Sequence, residues 1–367
     1  MEGPTGARRI SAIDDLGDQG FPTKGIVPVM DTQVRTYFDK NLKVLCCPKC
    51  QGEFVMSDDC LICSLCHHQF EVRDNIPLLF WPNEWDPSKS DVTDTIKAFY
   101  EKSPFPDYDD FDSVGTLVRK AREGLFAKLL DDQIPSGTRI LECGCGTGQL
   151  SAFLSIANRT VFATDICLNS LRLGQQFTEK NNLQRVHFIQ MNLFRPVFKS
   201  ELFDLVICNG VLHHTSDPFL GFQSIAKLVK RNRYILIGLY HRYGRTITRI
   251  RRSIFRVSGD RFTWLDPNLR NTDKSVAKKR AWFMDQYKNP HESTHTIGDV
   301  LRWFKETGFA FVKSLPNSVP FQRFSECEKL FERERPGSWL ERLVTEMGMI
   351  ATGNSEGGFF VVIGKKL

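Results

Sequence analysis

The sequence predicts an α/β protein built on a doubly wound parallel sheet and preceded by a small metal-bound ribbon. Three observations carry that reading. Five continuous apolar runs alternate with helical segments between residues 139 and 240, as expected for parallel strands covered on both faces. The first run ends in a turn on Gly144, Gly146 and Gly148. Well ahead of it stand two Cys-x2-Cys pairs, separated by twelve residues.

At 367 residues the chain has room for one large domain and a small one, and its 41% hydrophobic and 25% charged content is that of a globular protein. No apolar run approaches the roughly 20 residues that cross a bilayer. The N-terminus shows no positively charged start running into an apolar stretch, so a cytoplasmic location is expected. Six of the eleven cysteines fall between Cys46 and Cys66, a clustering that points to metal.

Residues 1–35 are rich in Gly, Pro and Asp without an apolar period, and disorder is expected there. A ribbon over residues 42–80 follows. Cys47 with Cys50, and Cys63 with Cys66, give two knuckles whose four thiolates satisfy tetrahedral Zn2+ in a closed, structural site. A ribbon this small is held mainly by its metal, to the extent of about 10–16 kcal/mol. Cys46 and Cys60 are spare. With the strand Gln69-Phe-Glu-Val-Arg-Asp-Asn-Ile-Pro-Leu-Leu-Phe80, the ribbon resembles the small zinc proteins that activate tRNA, rRNA and release-factor methyltransferases, although Asn75 stands where they carry glycine. The resemblance implies a scaffolding or activating role.

Residues 91–367 are expected to form the main domain. The aromatic, Pro- and Asp-bearing stretch Ile96–Asp110 reads as a lid or as a packed helix and loop. An amphipathic helix is expected over 115–130, on the spacing of Leu117, Val118, Ala121, Leu125 and Leu129. Strands are expected at Arg139–Cys143, Thr160–Asp165, Arg185–Asn192, Phe203–Asn209 and Tyr234–Tyr240, and two late ones at Phe309–Ser314 and Gly358–Gly364.

In such sheets a ligand lies across the carboxyl ends of the strands, beside the first. Glu142, Asp165, Asn192 and Asn209 occupy those ends. The bare glycine turn lets a ligand approach backbone N–H groups at a helix start. Asp165, 21 residues beyond Gly144, stands where an acid can take both hydroxyls of a ribose, and Asn192 can meet an adenine edge. Gln149 replaces the third glycine of dinucleotide binders.

Glu-x-Gly-x-Gly-x-Gly, the later acid, Met191-Asn192-Leu193 and the run Phe203–Pro218 resemble class I S-adenosylmethionine-dependent methyltransferases, most nearly their quinone-biosynthesis branch. That resemblance implies a seven-stranded Rossmann-like sheet of order 3-2-1-4-5-7-6. It implies S-adenosylmethionine held by Gly144, Gly146, Gly148, Glu142, Asp165, Asn192, Leu193 and Asn209. Asn209-Gly-Val-Leu departs from the Asn/Asp-Pro-Pro-Tyr box of enzymes that methylate amino groups of adenine or glutamine. His214 is the expected general base if the nucleophile must lose a proton.

His291-Glu-Ser-Thr-His295 fits the H-E-x-x-H string of zinc proteases, but Thr296 and Asp299 read as the cap and third residue of a helix that begins after it. As loop residues, His291, Glu292 and His295 could instead face the substrate. The insertion over 241–290 carries seven arginines between Arg242 and Arg261. Arg245, Arg249, Arg252 and Arg256 share one helical face, opposite Ile247, Ile250, Ile254 and Val257. That face reads either as a solvated helix packed over the site or as a contact for an anionic substrate, nucleic acid or membrane surface. The expected function is methyl transfer to a small-molecule acceptor, with RNA or protein methylation and a non-catalytic cofactor-binding scaffold as rivals.

Overall fold

The computed structural model describes residues 41–57, 59–85, 90–102, 104, 113–271, 275–322, 324–352 and 358–367. The stretch expected to be disordered, 1–35, and most of the lid beyond Lys102 lie outside the described residues.

The ribbon is a four-stranded antiparallel sheet of β1 (Phe54–Ser57), β2 (Cys60–Cys63), β3 (Gln69–Arg73) and β4 (Ile76–Pro77). Helix α1 (Thr93–Lys102) follows. The expected helix over 115–130 is instead two, α2 (Val114–Glu123) and α3 (Leu125–Gln133), because Gly124 adopts an extended conformation between them.

The main sheet has seven strands. Five parallel ones are β5 (Arg139–Cys143), β6 (Thr160–Asp165), β7 (Val186–Gln190), β8 (Phe203–Asn209) and β9 (Val229–Tyr240). After them come β10 (Phe309–Leu315) and β11 (Phe359–Lys366). The spatial order is β10-β11-β9-β8-β5-β6-β7, with β11 antiparallel to both neighbours. Counted along the main sheet this is 3-2-1-4-5-7-6, as the resemblance implied.

Alternate residues of the central strands feed two cores, as the two-residue strand period requires. Ile140, Leu205 and Ile207 join Leu117, Leu129, Leu130 and Phe153 on the face covered by α2, α3 and α4 (Gln149–Ser155). Leu141, Val206 and Cys208 join the opposite core with Phe222 of α6 (Pro218–Ala226) and Phe304 of α10 (Ile297–Thr307). Each fully buried aliphatic or phenyl side chain contributes about 1.5–3 kcal/mol.

The ribbon shares that second core through Leu45, Phe54, Leu61 and Phe70. Backbone also joins the two units: Leu45 bridges Phe198, Leu78 bridges Gln190 in parallel, and Cys46 N donates to Val197 O at 2.8 Å. The ribbon therefore sits against the β7 edge of the large sheet.

Between β9 and α10 the insertion folds as α7 (Thr246–Ser258), the short α8 (Pro267–Arg270), α9 (Val276–Phe283) and a π turn over Met284–Lys288. Helix α11 (Trp339–Thr352) precedes β11. Among the described residues no helix is long and apolar enough to cross a membrane.

Candidate active site

A cavity of about 480 Å³ opens at the carboxyl ends of β5, β6, β7 and β8. Its floor is the glycine turn. Gly144 has φ +69°, and a Cβ there would stand 2.2 Å from Val211 Cγ2. Gly148 has φ +74°, is the left-handed cap of α4, and presses on Phe188 at 2.5 Å from a notional Cβ. Two sterically filled positions and two positive φ values exclude side chains here, so the loop needs glycine for its own shape as well as for access. Gly146, between them, also has positive φ.

Glu142 is buried at the end of β5, and Ser151 Oγ of α4 donates to its Oε2. Burial drives its pKa up to about 7 against the downward pull of the Ser151 bonds. Asp165 ends β6. Its Oδ2 accepts from Gly146 N at 2.9 Å and its Oδ1 from Cys167 N at 2.8 Å. Burial raises this carboxyl to about 6, with the backbone N–H bonds opposing. One carboxylate thus pins the glycine turn and the start of α5 (Leu168–Lys180) together.

Asn192 also lines the cavity, and its amide bonds to the protein. Nδ2 donates to Trp81 O at 2.9 Å and to Asn83 Oδ1 at 2.8 Å, and Oδ1 accepts from Phe194 N. Both N–H bonds of this side chain hold the segment after the ribbon, which leaves Oδ1 with one further lone pair for a ligand. Leu193 and Asn209 line the same cavity, and Asn209 Oδ1 crowds Gly238 of β9, where a Cβ would stand 1.9 Å away. Helix α1 lies over the opening, its Glu101 carboxylate accepting from Leu168 N and Asn169 N at the start of α5. That is the described part of the expected lid.

His214 lies in the 3-10 turn after β8 and lines the far end of the cavity. Its Nδ1 is 2.8 Å from His291 O. A carbonyl only accepts, so Nδ1 carries the proton and Nε2 of the neutral ring is an acceptor. Burial lowers the pKa of His214, the charge of Asp285 working the other way. The ring is therefore neutral at pH 7. Its neighbour His213 packs at 3.9 Å on Tyr240, accepts from Tyr240 N through Nδ1, and leaves Nε2 buried without a partner.

Beyond His214 stands a group that the motif reading did not find. Asp285, buried in the π turn, accepts from Tyr100 Oη at 2.8 Å and Tyr240 Oη at 3.3 Å. Gln286 Nε2 donates to Tyr240 Oη at 2.7 Å, and Trp282 and Phe359 complete the wall. Arg245, with no exposed surface, stacks 3.8 Å above the Tyr240 ring and pairs with Glu292. Burial alone would raise Glu292, but the hydrogen bond and charge of Arg245 hold it below the ordinary carboxylate range.

The H-E-x-x-H residues do not form a metal site. Thr296 and Asp299 make the expected capping box of α10, so both histidines precede the helix. His291 Nε2 lies 3.1 Å from Thr215 O, Glu292 faces Arg245, and His295 Nε2 lies 2.9 Å from Ser293 Oγ. The loop braces the exit of β8 rather than presenting these side chains to the cavity. The arginine face of α7 is split: Arg245 and Arg252 turn inward to Glu292, Arg249 is exposed while donating to Thr294 Oγ1, and Arg256 is exposed.

In the ribbon the sulfurs of Cys47, Cys50, Cys63 and Cys66 all lie within 4.8 Å of one another, with Cys47–Cys66 at 3.8 Å and Cys50–Cys63 at 3.3 Å. Zinc–thiolate bonds of about 2.3 Å in a tetrahedron put sulfurs about 3.8 Å apart, so the set fits zinc. Gly52 is required beneath it, since a Cβ there would stand 2.9 Å from Cys63 Sγ.

A reversed last strand, a glycine turn closing β5 and an acid closing β6 are the features that the resemblance to class I S-adenosylmethionine-dependent methyltransferases implied. Residues 141–237, from β5 into β9, match the family model described as "Methyltransferase domain". An uncharacterized protein of Synechococcus sp. is 26% identical over 248 residues, 60% of each chain. A ubiquinone biosynthesis O-methyltransferase of Haemophilus ducreyi is 29% identical over 111 residues, 29% of this chain and 47% of that one. The chain thus spans about half to three-fifths of the length of these relatives. Among solved structures, magnesium protoporphyrin IX methyltransferase from Synechocystis aligns at 14% identity and a TM-score of 0.44, covering 75% of this chain and all of that one.

Proposed function

We propose that the chain is an S-adenosylmethionine-dependent methyltransferase acting on a small molecule that bears a hydroxyl group, with a structural zinc in its ribbon. The observation that carries this reading is the two-ended cavity. One end has the glycine turn with Glu142 and Asp165; the other is walled by Tyr100, Tyr240, Trp282 and Phe359 around His214 and Asp285. Glu142, Asp165 and the turn would hold the cofactor, which when bound would supply a methyl group on a sulfonium sulfur, the C–S electron pair leaving on a neutral thioether that needs no acid. Cys47, Cys50, Cys63 and Cys66 would hold the zinc.

The acceptor end supports an O–H donor because the unprotonated Nε2 of His214 accepts there, with the Asp285 carboxylate held nearby by Tyr100, Tyr240 and Gln286. His214 takes the proton of the acceptor hydroxyl, and Asp285 steadies the imidazolium that results. General-base help of this kind contributes about 10²–10⁴ in rate, and alignment within the aromatic wall supplies the rest. The Haemophilus ducreyi relative is named for O-methylation, which accords with a hydroxyl acceptor. Nucleic acid is less well supported, because no lysine or arginine among the described residues lines the cavity to meet a phosphate.

The test is S-adenosylhomocysteine release by the zinc-loaded protein over a panel of phenols, amines and RNA. Turnover confined to phenols or other hydroxyl compounds is expected. Turnover on RNA, or on amines alone, contradicts the assignment.

A further inference from the structure

Helix α7 turns two arginines inward with Phe255 and leaves part of its apolar side chains outward. Thr248, Arg251 and Phe255 are buried, as is Arg245 at its start, while Val257 is 89% exposed and Ile250 55%. The apolar exposure continues into the following turn, where Trp264 is 60% exposed and Phe262 44%. Folding normally buries such a stripe, and an apolar face left outward within one segment marks a contact. Exposed Arg249 and Arg256 flank it on the helix, with Arg261 beyond. Arg256 and Arg261 make no ion pair among the described residues.

Charge is concentrated here too. Residues 241–290 hold thirteen Lys and Arg against four Asp, an excess of nine in a chain whose total is +6. Of the acids, Asp266 and Asp285 are buried and Asp260 is paired with Lys288. The outward surface of the insertion is therefore apolar and cationic together.

We propose that this surface docks the protein on an anionic lipid bilayer, with Ile250, Val257, Phe262 and Trp264 entering the interface and Arg249, Arg256 and Arg261 meeting lipid headgroups. Apolar burial with basic residues at headgroup level is how interfacial helices bind, and tryptophan favours that depth. Each basic residue near such a surface contributes to attraction that salt screens. A second copy of this chain is the weaker occupant, because a self-contact would bring the same unpaired arginines together. The inference rests on the surface and not on the assignment of methyl transfer.

The experiment is flotation of the full-length, zinc-loaded protein with phosphatidylcholine vesicles, with and without 30% phosphatidylserine. The added fraction of anionic lipid is about one third, chosen to give a cytoplasmic-leaflet-like surface potential. Binding to the anionic vesicles only is expected, weakening as salt is raised. Val257→Asp and Trp264→Ser are expected to cut it at least tenfold with unchanged circular dichroism and melting temperature, since both side chains are mostly solvated. Arg256→Glu with Arg261→Glu does the same through charge. Absence of binding by the folded wild type overturns the proposal, as does equal binding by the variants. A dimer in ultracentrifugation that Val257→Asp dissociates, without vesicle binding, assigns the face to a second copy and overturns it as well.

Discussion

Replacing Arg245 with Met tests the architecture of the acceptor end. Arg245 has no exposed surface, and the Glu292 side chain is only 5% exposed. Nε donates to Glu292 Oε1 at 3.0 Å, and Nη1 to Gln286 Oε1 at 2.5 Å. Methionine fills much of the stem but strands a buried carboxylate. Removing one partner of a buried pair costs about 3–5 kcal/mol. Arg252 remains 3.0 Å from Glu292, which places the expected loss near about 3 kcal/mol. At about 2–4 °C per kcal/mol, the melting temperature falls by roughly 6 °C or more.

The pH dependence distinguishes this from simple loss of packing. In the wild type the depressed Glu292 contributes stability present above the ordinary carboxylate range and lost as pH falls through its folded pKa. In the variant, burial without Arg245 raises that pKa above its unfolded value, so the ionised form is penalised at neutral pH and relieved by acid. The gap between the two proteins therefore narrows from pH 8 to pH 5. Adding Glu292→Gln to Arg245→Met restores at least half of the loss. Thermal unfolding of the three proteins across that range is the assay. A single-variant loss under about 1 kcal/mol, or one independent of pH, refutes the reasoning.

Three further outcomes follow from the same geometry. Gly144→Ala forces a Cβ to 2.2 Å from Val211 at positive φ, and we expect cofactor affinity measured by calorimetry to fall by about tenfold or more, equivalent to about 1.4 kcal/mol, in a protein that still melts cooperatively. His214→Asn lowers kcat about 10²-fold or more while the cofactor Kd stays within twofold; because burial depresses the His214 pKa, the acid limb of the wild-type rate lies below the ordinary histidine range and vanishes in the variant. Cys63→Ser, or chelation of the metal, releases zinc seen by atomic absorption and lowers the melting temperature of the whole chain, because Leu61 and Phe70 share the core of the large sheet.

The large sheet was legible because its strands are continuous apolar runs bounded by turn residues: Thr160–Asp165 and Phe203–Asn209 have the bounds expected of them. The cap on α10 was equally clear, since Thr296 and Asp299 stand at the fixed spacing of a capping box. The end of the insertion was not legible. Asp285 belongs to no motif, and its partners Tyr100 and Tyr240 lie 185 and 45 residues away, so only the fold brings the cluster together. Helical periodicity did not find the faces of α7: Arg249 and Arg256, set opposite Ile250 and Val257 by the pattern, are exposed beside them, while Arg245 turns inward with Thr248, Arg251 and Phe255. That inward turn is made by Glu292 and the Tyr240 ring, which receive Arg245. Asn192 stands at the strand end that the pattern indicates, yet its amide is claimed by Trp81 and Asn83 in a segment with no sequence signal.

Calorimetric titration of the zinc-loaded protein with S-adenosylmethionine, beside Asp165→Ala, tests the central claim most directly. Asp165 fixes the glycine turn through Gly146 and faces the cavity, and hydrogen bonds to a charged group contribute about 1.5–3 kcal/mol each. The account predicts one site per wild-type chain and at least about a hundredfold weaker binding in the variant. A folded, metal-replete wild type that gives no binding heat and no displacement of bound S-adenosylhomocysteine would contradict it.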